Sequence, residues 1–351
     1  MTTILLTDSM DKIQKKLNKG GEIKFQYGTY KITKQLILKN KSNINLNGAV
    51  LRRNASIQSI FLNECSAKTK AYKGAGNITI YNGTFEGMGS YSHDNLVTFF
   101  HSHDILIENV TFLDNLCHAL EINSSKNVEI ANCKFLGNNT EKAYKEIIQI
   151  DGAYAVGFWL NGSTKKSKCY DGTMCEDIII TGCEFNKSKY RNAPSVCIGT
   201  HTQLVGGKQH KDIQILHNTF VCDGSSNCIS LIGMRDVYIY SNYFTHCGRI
   251  VKIFNKDHSY SLTGDPVYTE QADGICENIK IKDNVKLDAA ETFKCSCVYG
   301  VSVSEEPHIG IEVISNKFEK DNDYEKYYLY TENCKDVISK GNMTTLKMRG
   351  V

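Results

Sequence analysis

Short runs of alternating apolar and polar residues recur along most of the chain. Asn77-Ile78-Thr79-Ile80, Asp104-Ile105-Leu106-Ile107, Asn127-Val128-Glu129-Ile130, Asp177-Ile178-Ile179-Ile180 and Asp212-Ile213-Gln214-Ile215 share this form. Alternation with a period of two places every second side chain on one face, so each run predicts a strand with one buried face. After each run comes a ladder residue and then an aromatic residue or leucine. The endings are Tyr81–Phe85, Glu108–Phe112, Ala131–Phe135, Thr181–Phe185, Leu216–Phe220, Tyr240–Phe244, Asp283–Leu287 and Ile314–Phe318. The shortest spacings, Phe112 to Phe135 and Phe220 to Phe244, are 23 and 24 residues. A period in this range, with longer excursions spliced in, is the mark of a solenoid.

No helical period of comparable length separates the strands, which argues against βαβ winding. One coil of strands per repeat predicts an all-β fold, a right-handed single-stranded parallel β-helix. The ladder position reads Gly83, Val110, Cys133, Cys183, Asn218, Asn242, Asn284 and Asn316. Stacked asparagines can hydrogen-bond from coil to coil and so satisfy buried amides. The phenylalanines beyond them predict an aromatic column inside. The organisation read from this pattern is a cap over residues 1–50, the β-helix over 51–345 and a tail over 346–351.

The cap differs from the repeats. Asp8 to Leu17 reads as a short amphipathic helix with a capping residue at its start, ended by Asn18-Lys19-Gly20-Gly21. The strands Glu22-Ile23-Lys24-Phe25 and Leu36-Ile37-Leu38, the turn Tyr27-Gly28-Thr29-Tyr30, and Asn43-Ile44-Asn45-Leu46-Asn47-Gly48 follow. A solenoid end needs such a cover, because bare strand edges invite aggregation. This order of helix, Gly-Gly, strand, Gly-Thr-Tyr, strand and Asn-Ile-Asn-Leu-Asn-Gly resembles the beginning of pectate-lyase-like superfamily proteins. That group includes polygalacturonase-type hydrolases, polysaccharide lyases, epimerases and phage tailspike depolymerases. The resemblance implies a carbohydrate-active protein and leaves its chemistry open.

Composition narrows the partners. With 41 Lys and Arg against 38 Asp and Glu, the net charge is only +3, which gives nucleic-acid binding no support. No apolar run reaches the length of a membrane span. The first residues have neither the basic region nor the apolar run of a signal peptide, which points to a virion-associated or otherwise released extracellular protein. The chain has 14 cysteines. Several fall at inward or ladder positions, so a core of free thiols is expected rather than disulfides. Cys169 and Cys175 share one long loop, yet their spacing fits no strong zinc pattern. No metal is expected, save Ca2+ if the protein is a lyase. The oligomer is read as a monomer or a homotrimer.

Aligning the strands that start each repeat locates candidate chemistry. Leu120, Ile148, Ile229 and Val251 point inward, leaving Glu121, Gln149, Ser230 and Lys252 in one outward column. Asn123, Asp151, Gly199, Ile232 and Phe254 make the next. Excursions over 152–176, 202–211 and 257–275 leave the same edge, and three long loops in register predict a cleft wall. The first carries Tyr154, Phe158, Trp159 and Tyr170, whose rings are surfaces for stacking sugars.

Glu121 and Asp151 fall on adjacent coils, two residues out of register. Strands ~4.8 Å apart and a two-residue advance of ~6.6 Å put them about 8 Å apart. That lies within the roughly 6.5–9.5 Å of inverting glycoside hydrolysis, in which one carboxyl protonates the leaving oxygen and the other activates water. Glu146 is a third carboxylate, paired with His118. Polygalacturonase-type hydrolases carry an Asp-bearing strand, then Gly-His-Gly, then Arg-Ile-Lys. The order Asp151, Gly199 and His201, Arg249 and Lys252 resembles it, with Gly152 where a second aspartate would stand, Gly-Thr-His for Gly-His-Gly, and one extra residue between Arg249 and Lys252. The catalytic candidates are therefore Glu121, Asp151, Glu146 and His201. Those for substrate binding are His118, Gln149, Trp159, Arg249 and Lys252, the two cations suiting an acidic sugar. Three readings stay open: a hydrolase of a bacterial surface or acidic polysaccharide, a calcium-dependent lyase or epimerase, and a non-catalytic receptor-binding spike.

Overall fold

Thirty-five short strands and a single helix make up the computed structural model, which describes residues 1–87, 95–138, 146–200, 202–222, 227–268, 273–287, 296–319, 327–344 and 346–350. The strands wind as a parallel β-helix. Eleven parallel strands, running from Leu36–Leu38 to Lys347–Arg349, form one wall. Twenty-two others join in a second sheet that wraps the remaining sides. There the single long strand His103–Leu113 pairs with both Lys126–Ala131 and Lys134–Leu136 of the next coil. From that coil onward the strands break at the ladder turn.

The turn has a simple physical basis. The residue before each ladder position adopts positive φ, as at Asn132 (54°), His217 (56°) and Ser241 (54°). Such backbone favours Asn and Gly. The second half then carries the asparagine ladder. Nδ2 of Asn218 donates to Oδ1 of Asn242 at 3.0 Å, Asn242 to Asn284 at 3.0 Å, Asn284 to Asn316 at 3.0 Å and Asn316 to Asn342 at 3.1 Å. Each Oδ1 also accepts the backbone N–H of the preceding ladder residue.

The aromatic column is continuous from Phe85 to Phe244. From Phe112 onward its rings stack 4.8–4.9 Å apart, which is the strand spacing itself. One expectation fails here. The register pairs Phe244 with Lys286 and Lys286 with Phe318, so Lys286 and not Leu287 occupies the column. The step from Asn284 to Lys286 is the same two residues as from Asn242 to Phe244, and Leu287 lies one residue beyond the column position. Lys286 is fully buried.

The helix spans Met10–Leu17, with Ser9 as N-cap accepting from the N–H of Lys12 at 3.3 Å. It buries Ile13 and Leu17. The strands of the first 50 residues pair into the same two sheets as the repeats. Within 346–351, Lys347–Arg349 adds the last strand of the eleven-stranded wall. No helix among the described residues is long and apolar enough to cross a membrane.

Candidate functional site

The outward face of the eleven-stranded wall carries a column of polar side chains. Register puts Thr98, Glu121, Gln149, Gly199, Ser230, Lys252, Tyr299 and Tyr330 in successive rungs. Gly199 was expected in the next column, beside Asp151. The wall strand there is only Ile198–Gly199, and Ile198 pairs with Ile148, which sets Gly199 against Gln149.

Glu121 is 4% exposed. Its Oε2 accepts from the amide of Asn95 and from Thr98 at 3.3 Å. Asp151 has no exposed surface. Its oxygens accept from Tyr154 (2.5 Å), Thr202 (2.8 and 3.0 Å), Gln149 (2.8 Å) and the N–H of Gly152 (3.2 Å). Both oxygens thus have donors, and the carboxylate fixes the start of the 152–176 loop. Glu146 is buried, and its backbone carbonyl lies 2.5 Å from Nδ1 of His118. There the His118 ring meets the main chain of Glu146. His201 lies outside the described residues.

The loops make one wall, as their common edge implies. Leu204 bridges to Tyr260, Gln203 donates to the carbonyl of Lys256 at 3.0 Å, and the N–H of Ala155 bonds to the carbonyl of Leu262 at 3.1 Å. The aromatics divide by burial. Phe158 and Tyr170 pack with Leu62, Phe100 and Leu160 in a second hydrophobic core outside the coil, and Tyr154 is buried on Asp151. These three anchor the loop. Trp159 is 45% exposed, its ring stacked near Tyr170 at 6.2 Å.

The other end of the column is cationic. Lys252 Nζ sits 3.6 Å above the ring of Phe254, and the guanidinium of Arg249 sits 4.1 Å above that of Tyr299. Arg249 also donates to Asn227 at 2.9 Å. Burial, with the charges of Arg249 and Lys256 beside it, brings Lys252 down to about 8. Lys256 is likewise lowered by burial, while the carboxylates of Glu146 and Asp151 pull against that shift. Lys256 joins the acidic and basic halves and was not singled out from the sequence. Its position directly after Phe254-Asn255, at the foot of the third loop, was the available signal. Asn95, Thr98, Thr200 and Thr202 were missed too. Thr200 and Thr202 alternate with period two beside Gly199, which places both on the side of Asp151.

No family model matches the chain. In sequence it is similar to Plasmin and fibronectin-binding protein A of Streptococcus pneumoniae (strain ATCC BAA-255 / R6), 27% identical over 342 residues. That match takes in 86% of this chain and 46% of the relative, so the chain spans about half the length of the curated protein. In structure it is similar to the pneumococcal surface protein and adhesin PfbA, with a TM-score of 0.68 at 18% identity over 99% of this chain and 96% of the other. It also resembles an exopolygalacturonase of Thermotoga maritima, with a TM-score of 0.63, 12% identity and coverage of 99% and 88%. The fold is that of the pectate-lyase-like parallel β-helix proteins. A tailspike protein of E. coli bacteriophage HK620, solved with a pentasaccharide, shares it at a TM-score of 0.60, 15% identity and coverage of 96% and 63%. Carbohydrate-degrading enzymes, a tailspike and an adhesin all use this coil, so the fold leaves the activity to the site.

Proposed function

We propose that the chain binds an acidic polysaccharide along the outward column of the eleven-stranded wall and hydrolyses it by acid/base catalysis, at a cell or virion surface. The observation that carries this reading is one column with a carboxylate at one end and cations at the other. Glu121 and Lys252 are four rungs apart, about 19 Å at ~4.8 Å per rung, which suits a short oligosaccharide. Arg249, Lys252 and Lys256 would hold uronate carboxylates, and Trp159 offers a ring on the adjoining wall. Glu121 and Glu146 are the carboxylates left to act as acid and base. Asp151, encased in donors, positions the wall. The same donors disfavour the calcium-dependent lyase reading, since a cation needs oxygens with free lone pairs.

A second reading rests on a specific observation. Glu121, Glu146 and Asp151 are all nearly enclosed, and the chain is similar to a protein titled an adhesin. It would then be a glycan-binding module. Glu121→Gln and Glu146→Gln, assayed on uronate-containing polysaccharides, separate the readings. Hydrolysis predicts release of reducing ends that falls by about 10²-fold or more in either variant, with binding changed little. Binding by the wild type without any turnover would sink the hydrolase, and an unsaturated, ultraviolet-absorbing product would replace it with a lyase.

A further inference from the structure

Two surface turns far apart in the chain share one residue pattern and one set of hydrogen bonds. Ser66-Ala67-Lys68-Thr69-Lys70 and Thr164-Lys165-Lys166-Ser167-Lys168 both read Ser or Thr, any residue, Lys, Ser or Thr, Lys. In the first, the N–H of Ser66 donates to Oγ1 of Thr69 and the N–H of Thr69 donates to the carbonyl of Ser66, each at 2.9 Å. In the second, Thr164 and Ser167 repeat both bonds at 2.8 Å. A side-chain hydroxyl thus closes each turn on its own backbone. The lysines at the third and fifth places, Lys68 and Lys70 in one turn and Lys166 and Lys168 in the other, are all exposed.

The fold sets the two turns side by side. The N–H of Cys169 donates to the carbonyl of Ala67 at 3.1 Å, and that of Ala71 donates to Oδ2 of Asp171 at 2.8 Å. The buried ring of His101 bridges them, with Nε2 2.7 Å from the carbonyl of Cys169 and Nδ1 against that of Ala71. Lys73 and Lys165 are exposed as well. Neither 65–76 nor 152–170 contains an Asp or Glu, so six lysines gather here on a chain whose net charge is only +3. Among the described residues, one of the six, Lys165, meets an acid, Asp265 at 3.3 Å. Other lysines do find acids: Lys34 pairs with Asp11, and Lys126 and Lys211 pair with Glu176.

Like charges gathered on one surface repel, and an anion that spans both turns relieves the repulsion. The geometry points to a docking surface for a linear acidic polysaccharide outside the groove, formed by Lys68, Lys70, Lys166 and Lys168. The kind of polymer rests on the proposed function, whereas the surface rests on the two turns. Matched pairs of ammoniums suit a chain that repeats its carboxylates. The surface is also tied to the groove wall. Tyr170, whose ring lies near that of Trp159, is hydrogen-bonded to Ser163 at 2.8 Å, directly before the second turn. One loop thus carries both the exposed ring and two of the lysines. A polymer held at both places gains through effective concentration, so these lysines act on affinity and not on the chemical step.

The full chain is titrated with polygalacturonate, dextran sulfate, neutral dextran and phosphatidylglycerol vesicles, from about 50 to about 300 mM salt, a range that progressively screens exposed charges. A surface driven by charge does not need the native sugar, so polygalacturonate should bind, more weakly as salt rises, and neutral dextran should not. The fourfold variant Lys68→Gln, Lys70→Gln, Lys166→Gln, Lys168→Gln should bind polygalacturonate about tenfold more weakly at low salt and with a shallower salt dependence. Its melting temperature should match the wild type, because the four side chains are exposed. Lys252→Met, measured beside it, should keep the salt-dependent part of the binding. Unchanged affinity and salt slope in the fourfold variant overturn the docking surface, whatever the groove does. Impaired binding by the fourfold variant with none lost in Lys252→Met supports the surface and counts against the groove reading instead. Wild-type protein that binds the vesicles or dextran sulfate but not polygalacturonate overturns the acidic polysaccharide as the occupant.

Discussion

The hydroxyl of Tyr154 donates a 2.5 Å hydrogen bond to Oδ1 of Asp151, and both side chains are wholly buried. The contact joins the last residue of a wall strand to the loop it launches. Thr202, from the neighbouring loop, reaches both Asp151 oxygens. One carboxylate therefore holds two loops of the wall.

Tyr154→Phe should lower stability by about 1–3 kcal/mol, the cost of leaving buried partners unpaired. Asp151→Asn should cost at least as much, because its amide turns a donor toward other donors. Both should speed proteolysis within 152–176 before the coil melts. Limited proteolysis beside a thermal melt checks this, and equal resistance of coil and loop in both variants would refute the anchoring role.

Asn242→Ala removes the acceptor for both the N–H and the side-chain amide of Asn218, and the donor to the carbonyl of Ile215. The buried backbone N–H of Asn218 loses its partner, so a destabilisation of about 3 kcal/mol is expected. Asn43→Ala, whose amide donates to Glu22 at the exposed surface, should change the melting temperature little. Similar melting shifts for the two would show that the ladder adds nothing.

Trp159 and Phe158 are adjacent in sequence and opposite in role. Phe158→Ala opens the second core and should cost about 3–5 kcal/mol. Trp159→Ala should leave the melting temperature within experimental error and weaken glycan binding. Calorimetric titration with the oligosaccharide that proves to be a ligand checks it, with the melt as control.

Lys252 is brought to about 8 by its surroundings. A bound uronate favours the ammonium, so binding should weaken as pH rises through about 8, when the free protein has lost that proton. Lys252→Met should remove this step and lower affinity throughout. Affinity measured from pH 6 to 9.5 decides it; a flat wild-type profile would exclude Lys252 from the subsite.

His210 and His308 are both buried and brought down to about 4. Each accepts a backbone N–H at Nδ1, from Cys175 at 3.0 Å and Cys276 at 3.1 Å. The folded state keeps these rings neutral while the unfolded chain protonates near pH 6.5. Their contribution is therefore complete above about 6.5 and lost as pH falls toward 4, by about 3 kcal/mol for each ring. Melting temperature should drop across that window, and His210→Gln should flatten the slope.

The coil was legible because its signals are local. Ile213-Gln214-Ile215 alternates, His217 takes the left-handed turn, Asn218 forms the ladder and Phe220 the column, all within eight residues. The slip at Lys286 shows the limit. Counting to the next apolar residue chose Leu287, whereas the hydrogen-bonded rung fixed Lys286, two places after Asn284. At the site, the sequence brought Glu121, Gln149 and Lys252 to one face through strand phase alone. It did not show that Asp151 would be filled by Tyr154 and Thr202, nor that Lys256 would sit between acids and cations. Those relations depend on loops whose paths no period describes.

Sequence by itself determined the parallel coil, its helical cap, the inward phenylalanines and the outward column, because strand alternation and a repeated turn act over a few residues and recur. Tertiary structure decided which carboxylates remain available, which loop aromatics are core, and that cysteines twenty-five positions apart meet. Those outcomes depend on stacking distant coils at ~4.8 Å, which brings side chains together that have no proximity along the chain.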